Sequence, residues 1–161
     1  MDIQGLLPLD GACRCGQVGI RIEAAPIITA ACHCTGCQRM SSSAFSLSAV
    51  IPAEGFAVTR GEPVIGGLHG KEARHYFCPH CMTWMFTRVG GDFPFVNVRP
   101  TMLDHCHWFT PFIETYTSEK LPWASTPAVH SFEKFPPFEL YERLGREYAQ
   151  HVARSGKVSE P

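Results

Sequence analysis

Basic charge is scarce in this sequence of 161 residues. Charged residues make up 18% of the chain, and 14 Lys and Arg against 15 Asp and Glu give a formal net charge of −1. The cations form no run or stripe, so a surface for the phosphates of a nucleic acid has no support in the composition. We therefore expect no nucleic-acid partner.

Long apolar runs are also missing. No stretch approaches the roughly 18 residues that a membrane-spanning helix needs. Residues 1–5 lack the cationic start and apolar run of a signal peptide. We expect no membrane association and a cytoplasmic location. Thiols stay reduced in that compartment, so the eight cysteines are predicted to be metal ligands or reactive thiols rather than disulfides.

Helical periodicity is confined to one end of the chain, and 13 Pro and 14 Gly indicate many turns. Alternating apolar and polar residues predict strands at about 18–22, 27–31, 45–49, 56–59, 74–77, 84–89, 95–98 and 109–116. One helical turn is predicted at 35–40, a turn at 90–92 and an extended segment at 122–137. The spacing of Leu140, Leu144, Tyr148 and Val152 predicts a helix over about 138–153. The prediction is one mainly β domain over residues 1–161, with its core at about 9–137.

The same C-terminal segment carries two pairs of opposite charges at helical spacing. Glu139 and Arg143, and likewise Glu142 and Arg146, stand four residues apart with the acid first. That order favours an ion pair on a helix surface, worth a few tenths of a kcal/mol.

The cysteines fall into groups whose spacing is typical of metal ligands. These groups are Cys13-x-Cys15, Cys32-x-Cys34-x-x-Cys37, Cys78-x-x-Cys81 and a separate Cys106. Four thiolates make a closed structural zinc site, whereas three leave a coordination position for a substrate. Pairing Cys13 and Cys15 with Cys78 and Cys81 closes one site and leaves the group of three open. In the alternative, two of the three central cysteines join Cys78 and Cys81. We prefer the first division, because the alternative leaves the third central cysteine without a site and the Cys13 and Cys15 pair without a function.

Further expectations concern single residues near these groups. A histidine (His33, His105 or His107) could close the site of Cys32, Cys34 and Cys37 and make it purely structural. His33 lies between two ligands, so its ring is expected to point away from the metal that they share, and a surface or packing role is at least as well supported as a catalytic role. Gly16 fits a knuckle, whereas Met82 occupies a position where positive φ is often required and a side chain is costly. Cys106 is interpreted as a small buried residue.

The cysteine pattern resembles the glutathione-dependent formaldehyde-activating enzyme family, which includes the centromere protein V domains. The resemblance lies in Gly11-x-Cys13-x-Cys15-Gly16-x-Val18, Cys32-His33-Cys34-x-x-Cys37-x-Arg39 and Phe77-Cys78-x-x-Cys81. Further similarity lies at Pro111-x-Ile113, Lys120-Leu121-Pro122-Trp123 and 132–136. Two departures are Met82, which stands where the family usually has glycine, and Met40-Ser41-Ser42-Ser43, which replaces a glycine-containing stretch.

The resemblance implies a fold, two metal sites and an activity. The fold is an Mss4-like β-tent of small antiparallel sheets with zinc knuckles and, here, a C-terminal helix. Two Zn²⁺ per chain are implied, a structural one on Cys13, Cys15, Cys78 and Cys81 and a catalytic one on Cys32, Cys34 and Cys37. The implied activity is that of a carbon–sulfur lyase that joins a small thiol such as glutathione to a small aldehyde such as formaldehyde.

Two other functions stay open at this point. One is a non-enzymatic zinc-binding module that binds a protein partner, and the other is a thiol sensor that acts by oxidation. For the enzyme, glutathione would need cations for its two carboxylates. Arg39, Lys71, Arg74 and Arg99 are candidates, although each is otherwise interpreted as a solvated surface charge.

Overall fold

The computed structural model describes residues 3–90 and 94–157, which form eleven strands and two α-helices. The strands are β1 Leu9–Ala12, β2 Gly19–Ile22, β3 Ile28–Cys32, β4 Ser46–Pro52, β5 Phe56–Arg60, β6 Val64–Gly66, β7 Ala73–Phe77, β8 Trp84–Val89, β9 Phe95–Val98, β10 Ile113–Thr115 and β11 His130–Ser131. The helices are α1 Thr35–Ser41 and α2 Tyr141–Lys157. Short 3-10 turns connect several of these elements.

The strands form two sheets. The smaller has the order β1-β2-β5 and is antiparallel throughout. The larger has the order β11-β10-β3-β4-β9-β8-β7-β6. Its pairs are antiparallel except around β10, which runs parallel to both β3 and β11. The central position of β3 matters for the site, because this strand ends at Cys32.

The main core lies between the two sheets. Its buried side chains include Ile20, Ile22, Ile51, Phe86 and Val98. Each such side chain contributes about 1.5–3 kcal/mol when it leaves water. A single backbone bridge, Gly11 to Leu103, adds a contact beside the first cysteine pair. A Cβ on Gly11 would collide with the Met102 carbonyl oxygen, so glycine is required there.

A second, smaller core forms where α2 covers the other end of the large sheet. Leu144 and Tyr148 of the helix pack against Ile28, Phe112 and Ile113. The four-residue spacing places Leu144 and Tyr148 on one face, as the sequence predicts. The helix therefore supports the β3–β10 pair from which the second cysteine group emerges.

The predicted mainly β fold with a C-terminal helix is confirmed. The predicted strand at 109–116 is too long, because β10 contains only Ile113–Thr115. Pro111 has no N–H for a ladder, and the Thr110 carbonyl accepts a hydrogen bond from the Thr29 hydroxyl at 2.7 Å. The predicted turn at 90–92 falls largely on residues 91–93, which lie outside the described residues. The prediction that residues 1–161 form one domain stays a prediction.

One of the two predicted helical ion pairs is wrong. Glu142 and Arg146 pair as expected. Arg143 instead contacts Glu147 at 3.4 Å. The reason is that Glu139 lies in a 3-10 turn, Phe138–Leu140, that precedes α2, so it lacks α-helical spacing to Arg143. Within the described residues no helix is long and apolar enough to cross a membrane.

Candidate metal centres

Seven of the eight cysteines converge in two places, and all eight are free of disulfides. The four-cysteine cluster consists of Cys13, Cys15, Cys78 and Cys81. The three-cysteine cluster consists of Cys32, Cys34 and Cys37. Within each cluster all sulfur atoms lie within 4.8 Å of one another. This grouping is the one that ligand counting favours in the sequence, and none of the central cysteines joins Cys78 and Cys81 within that distance.

The four-cysteine cluster joins the turn after β1 to the turn between β7 and β8. The Sγ atoms of Cys13 and Cys15 are 3.5 Å apart, and those of Cys15 and Cys78 are 3.7 Å apart. A tetrahedral zinc ion with Zn–S bonds of about 2.3 Å requires sulfur atoms about 3.8 Å apart. The donor set therefore fits one zinc ion. Its place in the fold, between the small and the large sheet, suits a structural role.

Both turns of this cluster have the backbone conformation expected of zinc knuckles. Gly16 has φ of 76° and Met82 has φ of 55°. The Gly16 N–H donates to the Cys13 carbonyl at 2.9 Å, and the Met82 N–H donates to the Cys78 carbonyl at 3.0 Å. The sequence-based concern about Met82 is confirmed, because this side chain sits in the left-handed region that favours glycine.

Hydrogen-bond donors surround the sulfur atoms of the same cluster. The Val18 N–H donates to the Cys13 sulfur at 3.3 Å, and the Thr83 hydroxyl lies 3.1 Å from the Cys81 sulfur. The Thr83 hydroxyl lowers the pKa of the Cys81 thiol to about 5. Donors of this kind stabilise thiolates, which are the form that binds a metal.

The three-cysteine cluster is built at the junction of β3 and α1. Cys32 ends the strand, Cys34 is the N-cap of the helix, and Cys37 lies in its first turn. The Cys37 N–H donates to the Cys34 sulfur at 3.3 Å. A sulfur N-cap places the Cys34 thiol at the positive end of the helix, which stabilises a thiolate. All three cysteines are only half-buried, so a small molecule can approach them.

The thiols of Cys32 and Cys37 are tightly paired. A hydrogen bond from Cys37 lowers the pKa of Cys32 to about 5. The same hydrogen bond, followed by burial, raises the pKa of Cys37. The pair therefore holds one negative charge readily. The three soft donors fit a zinc ion with one position left for another ligand.

No fourth ligand joins these three sulfur atoms within 4.8 Å in the described part of the chain. His105 and His107 are exposed, and neither is part of the cluster. The structure therefore brings no histidine into this cluster among the described residues, and whether another ligand completes the site stays open. Cys106 belongs to neither cluster, and it is half-buried rather than buried as expected.

His33 is fully buried and belongs to neither cysteine cluster. Its Nε2 atom lies 3.0 Å from Glu114 Oε2, and its ring makes an edge contact with Phe45. The expected packing role is confirmed. Glu114, which the sequence analysis missed, also accepts hydrogen bonds from Lys120, Thr126 and Ser131. No local signal in the sequence marks it, because its partners come from three separate segments.

The four candidate cations have different environments. Arg39, Lys71 and Arg74 are exposed, as a solvated surface charge would be. Arg99 is buried, with 8% of its surface exposed, so the surface interpretation is wrong for this residue. Its guanidinium lies over the Trp84 ring at 4.0 Å, beside a cavity next to the three-cysteine cluster.

Comparisons with known proteins bear on the whole arrangement. The family model described as glutathione-dependent formaldehyde-activating enzyme matches residues 8–119. A Penicillium rubens protein with the provisional name of glutathione-dependent formaldehyde-activating enzyme is 27% identical over 120 residues. That match covers 71% of this chain and 62% of the relative, so the chain spans about three-fifths of that protein. A crystal structure of a Rhodobacter sphaeroides protein has a TM-score of 0.50 and 22% identity over 59% of this chain and 87% of that one. This last similarity concerns the fold alone.

Proposed function

The chain belongs to the glutathione-dependent formaldehyde-activating enzyme family, and from that premise we propose that it joins a small thiol to a small aldehyde. The thiol is glutathione-like, the aldehyde is formaldehyde-like, and the product is an S-hydroxyalkyl adduct. The observation that carries the proposal is the half-buried cluster of three thiols without a fourth protein ligand in the described residues.

The proposed reaction is an addition that needs no oxidant or reductant. The sulfur of the thiol forms a bond to the carbonyl carbon, the carbonyl π bond breaks, and the oxygen takes the proton that the thiol gave up. The reverse reaction breaks the same carbon–sulfur bond, as in a lyase. A zinc ion held by Cys32, Cys34 and Cys37 would supply Lewis-acid chemistry that favours the thiolate and polarises the carbonyl.

The protein itself contributes the shape and the charge of the site. Residues of β3 and α1 hold the three sulfur atoms together, and Glu119 accepts hydrogen bonds from the Thr35 N–H at 2.6 Å and hydroxyl at 2.7 Å. Gln38 donates to the His33 carbonyl at 2.6 Å, which fixes the backbone between Cys32 and Cys34. Holding the thiol and the aldehyde side by side converts a bimolecular reaction into an effectively unimolecular one. That effect supplies much of the rate enhancement expected over the reaction in buffer.

Zinc content and adduct formation together test this proposal. We expect two zinc ions per chain, and we expect ¹³C NMR to show adduct formation from ¹³C-formaldehyde and glutathione faster than in buffer. Cys34→Ser should stay folded, hold one zinc ion and lose the rate gain. Cys106→Ser is the matched control, because Cys106 lies outside both clusters, and it should keep both zinc ions and the activity.

Other outcomes separate the alternatives. A single zinc ion whose loss in Cys34→Ser also unfolds the chain would contradict the division into two sites. A folded protein with two zinc ions that leaves every thiol–aldehyde pair unchanged would favour the non-enzymatic binding module. The cytoplasmic location expected from the sequence stays a prediction.

A further inference from the structure

A cavity of about 400 Å³ lies beside the three-cysteine cluster. Its walls include Ser41, Ser46, Trp84 and Arg99. Ser46 is paired with Cys32 across β3 and β4, and its hydroxyl is close enough to the Cys37 thiol to act on its pKa. The Ser41 hydroxyl donates to the Cys37 carbonyl at 2.7 Å. One end of the cavity therefore adjoins the cluster.

Arg99 brings a buried positive charge to the wall of this cavity. Its Nε atom is buried and has no hydrogen-bond partner among the described residues. Its one side-chain hydrogen bond there is a long contact, 3.4 Å from Nη2 to the Thr87 hydroxyl. That hydroxyl is also shared with Trp84 Nε1 at 3.2 Å and His75 Nδ1 at 2.9 Å. Thr87 therefore cannot satisfy the guanidinium.

The fold gives Arg99 no carboxylate partner in the part of the chain that the structure describes. A buried charge without a partner is costly, and proteins retain such groups mainly where a ligand or another charge completes them. The thiols of Cys32 and Cys37 are close enough to act on Arg99 through space. The buried Ser46 side chain lines the same cavity.

We propose that Arg99 is the carboxylate anchor of the three-cysteine site, so that one of the two reactants carries a carboxylate bound in this cavity. A planar guanidinium matches a carboxylate through two parallel hydrogen bonds, and Arg99 lines the cavity with one long hydrogen bond among the described residues. A phosphate is a poorer fit, because the cavity offers one cation and lies beside sulfur atoms that repel a dianion. The stacked Trp84 ring holds the guanidinium in position.

The carboxylate could be part of either reactant. This part of the proposal rests on the proposed function, which names the reactants as a thiol and an aldehyde. The carboxylate belongs either to the thiol, as in glutathione, or to the aldehyde, as in glyoxylate. Two pairs of probes distinguish these sources. The thiol pair is 3-mercaptopropionate and 2-mercaptoethanol, and the aldehyde pair is glyoxylate and glycolaldehyde.

The test is isothermal titration calorimetry of each probe, alone, with zinc-loaded wild-type protein. In one of the two pairs we expect the carboxylate member to bind about 10- to 100-fold more tightly, which is the range of a charge-assisted hydrogen bond. Arg99→Met should abolish that preference while retaining the bulk of the side chain. Arg99→Lys should retain part of it, because it retains the charge but not the fork.

Several outcomes would overturn the proposal. Equal binding within both pairs would do so, as would a preference that survives in a folded Arg99→Met variant. Zinc is counted in each variant, and an Arg99→Met protein that loses zinc but keeps the preference would make Arg99 a counter-charge for the thiolates. If Arg99→Met does not fold, the test rests on Arg99→Lys. An Arg99→Lys protein that binds every probe with the same affinity as wild type, and so keeps the full preference for the carboxylate member, would count against the bidentate anchor.

The proposed function is measured separately in the wild-type protein. Formaldehyde and 2-mercaptoethanol carry no carboxylate, so their adduct formation reports on the proposed reaction alone. The calorimetry requires no turnover. A protein that binds carboxylates through Arg99 and forms no adduct would therefore refute the reaction but not the carboxylate anchor. A protein that forms the adduct and shows no preference for carboxylates would refute the anchor but not the reaction.

Discussion

Replacing Glu114 by glutamine should destabilise the fold by about 3 kcal/mol. The buried carboxylate of Glu114 accepts hydrogen bonds from Lys120 at 2.9 and 3.1 Å, from Thr126 and Ser131 at 2.8 Å, and pairs with His33 at 3.0 Å. Glutamine is nearly the same size, but it replaces an acceptor oxygen by an NH₂ group that faces donors. It also leaves the half-buried Lys120 without its counter-charge.

The magnitude follows from the pKa of this carboxyl group. Burial on its own would raise that pKa, but the hydrogen bonds from Lys120, Ser131, Thr126 and His33 lower it to about 2 from an ordinary value of 4.5. A shift of one pKa unit corresponds to about 1.36 kcal/mol, so the ionised carboxylate stabilises the fold by about 3 kcal/mol. Breaking a buried ion pair typically costs 3–5 kcal/mol, and the partial exposure of Lys120 favours the lower end.

The sign of the pH dependence follows from the lowered pKa. The contribution is fully present above the unfolded pKa of about 4.5 and is lost as the pH falls towards about 2. The difference in free energy of unfolding between wild type and Glu114→Gln should therefore be large at pH 7 and shrink below pH 4.5. Using the difference between two proteins would cancel any loss of bound metal at low pH, because that loss would affect both.

Urea unfolding followed by circular dichroism measures this difference at each pH. Glu133→Gln is the matched control, because Glu133 is exposed and its replacement should change stability by no more than about 0.5 kcal/mol. A Glu114→Gln protein as stable as wild type at pH 7 would refute the reasoning. A destabilisation of unchanged size at pH 2.5 would also refute it, since the carboxylate would then not be its source.

Three further predictions concern the backbone and the metal clusters. Met82→Gly should increase the free energy of unfolding by about 1 kcal/mol and so raise the urea midpoint, because Met82 has φ of 55° and an exposed side chain. A lower midpoint would contradict this prediction. Gly11→Ala should cost about 2–3 kcal/mol in thermal unfolding, because its Cβ would meet the Met102 carbonyl, whereas Gly5→Ala, whose Cβ meets nothing, is a near-neutral control. Cys78→Ser should unfold the chain by circular dichroism, unlike Cys34→Ser, because Cys78 is fully buried between the sheets; a folded Cys78→Ser protein would contradict a structural role.

The two cysteine clusters were predictable because ligand number and short spacing decide them. Three thiols within six residues must lie near one another in almost any backbone conformation. The two remaining pairs, Cys13 with Cys15 and Cys78 with Cys81, then supply the four ligands of the other site. The positive φ of Met82 was also predictable, since a two-residue knuckle constrains the residue after its second cysteine.

The surroundings of the clusters were not predictable in the same way. Glu114 reaches His33 because β10 runs parallel to β3, with Ile113 beside Ala30, and no pattern in either segment specifies that register. Arg99 directly follows β9, and continuing the alternation of that strand places Arg99 on the face opposite Val96 and Val98. Alternation usually sends such a residue to solvent. Here Trp84 and Thr87 cover that face, so the cation is buried.

The two clusters also differ in how much chain separates their thiols, which bears on the order in which metal is acquired. Cys32, Cys34 and Cys37 are close in the unfolded polypeptide, so gathering them around an ion costs little loop entropy. Cys15 and Cys78 are 63 residues apart, and they meet only when the two sheets dock. A newly made chain would therefore load its three-cysteine cluster first, and occupancy of the four-cysteine cluster would report completed folding.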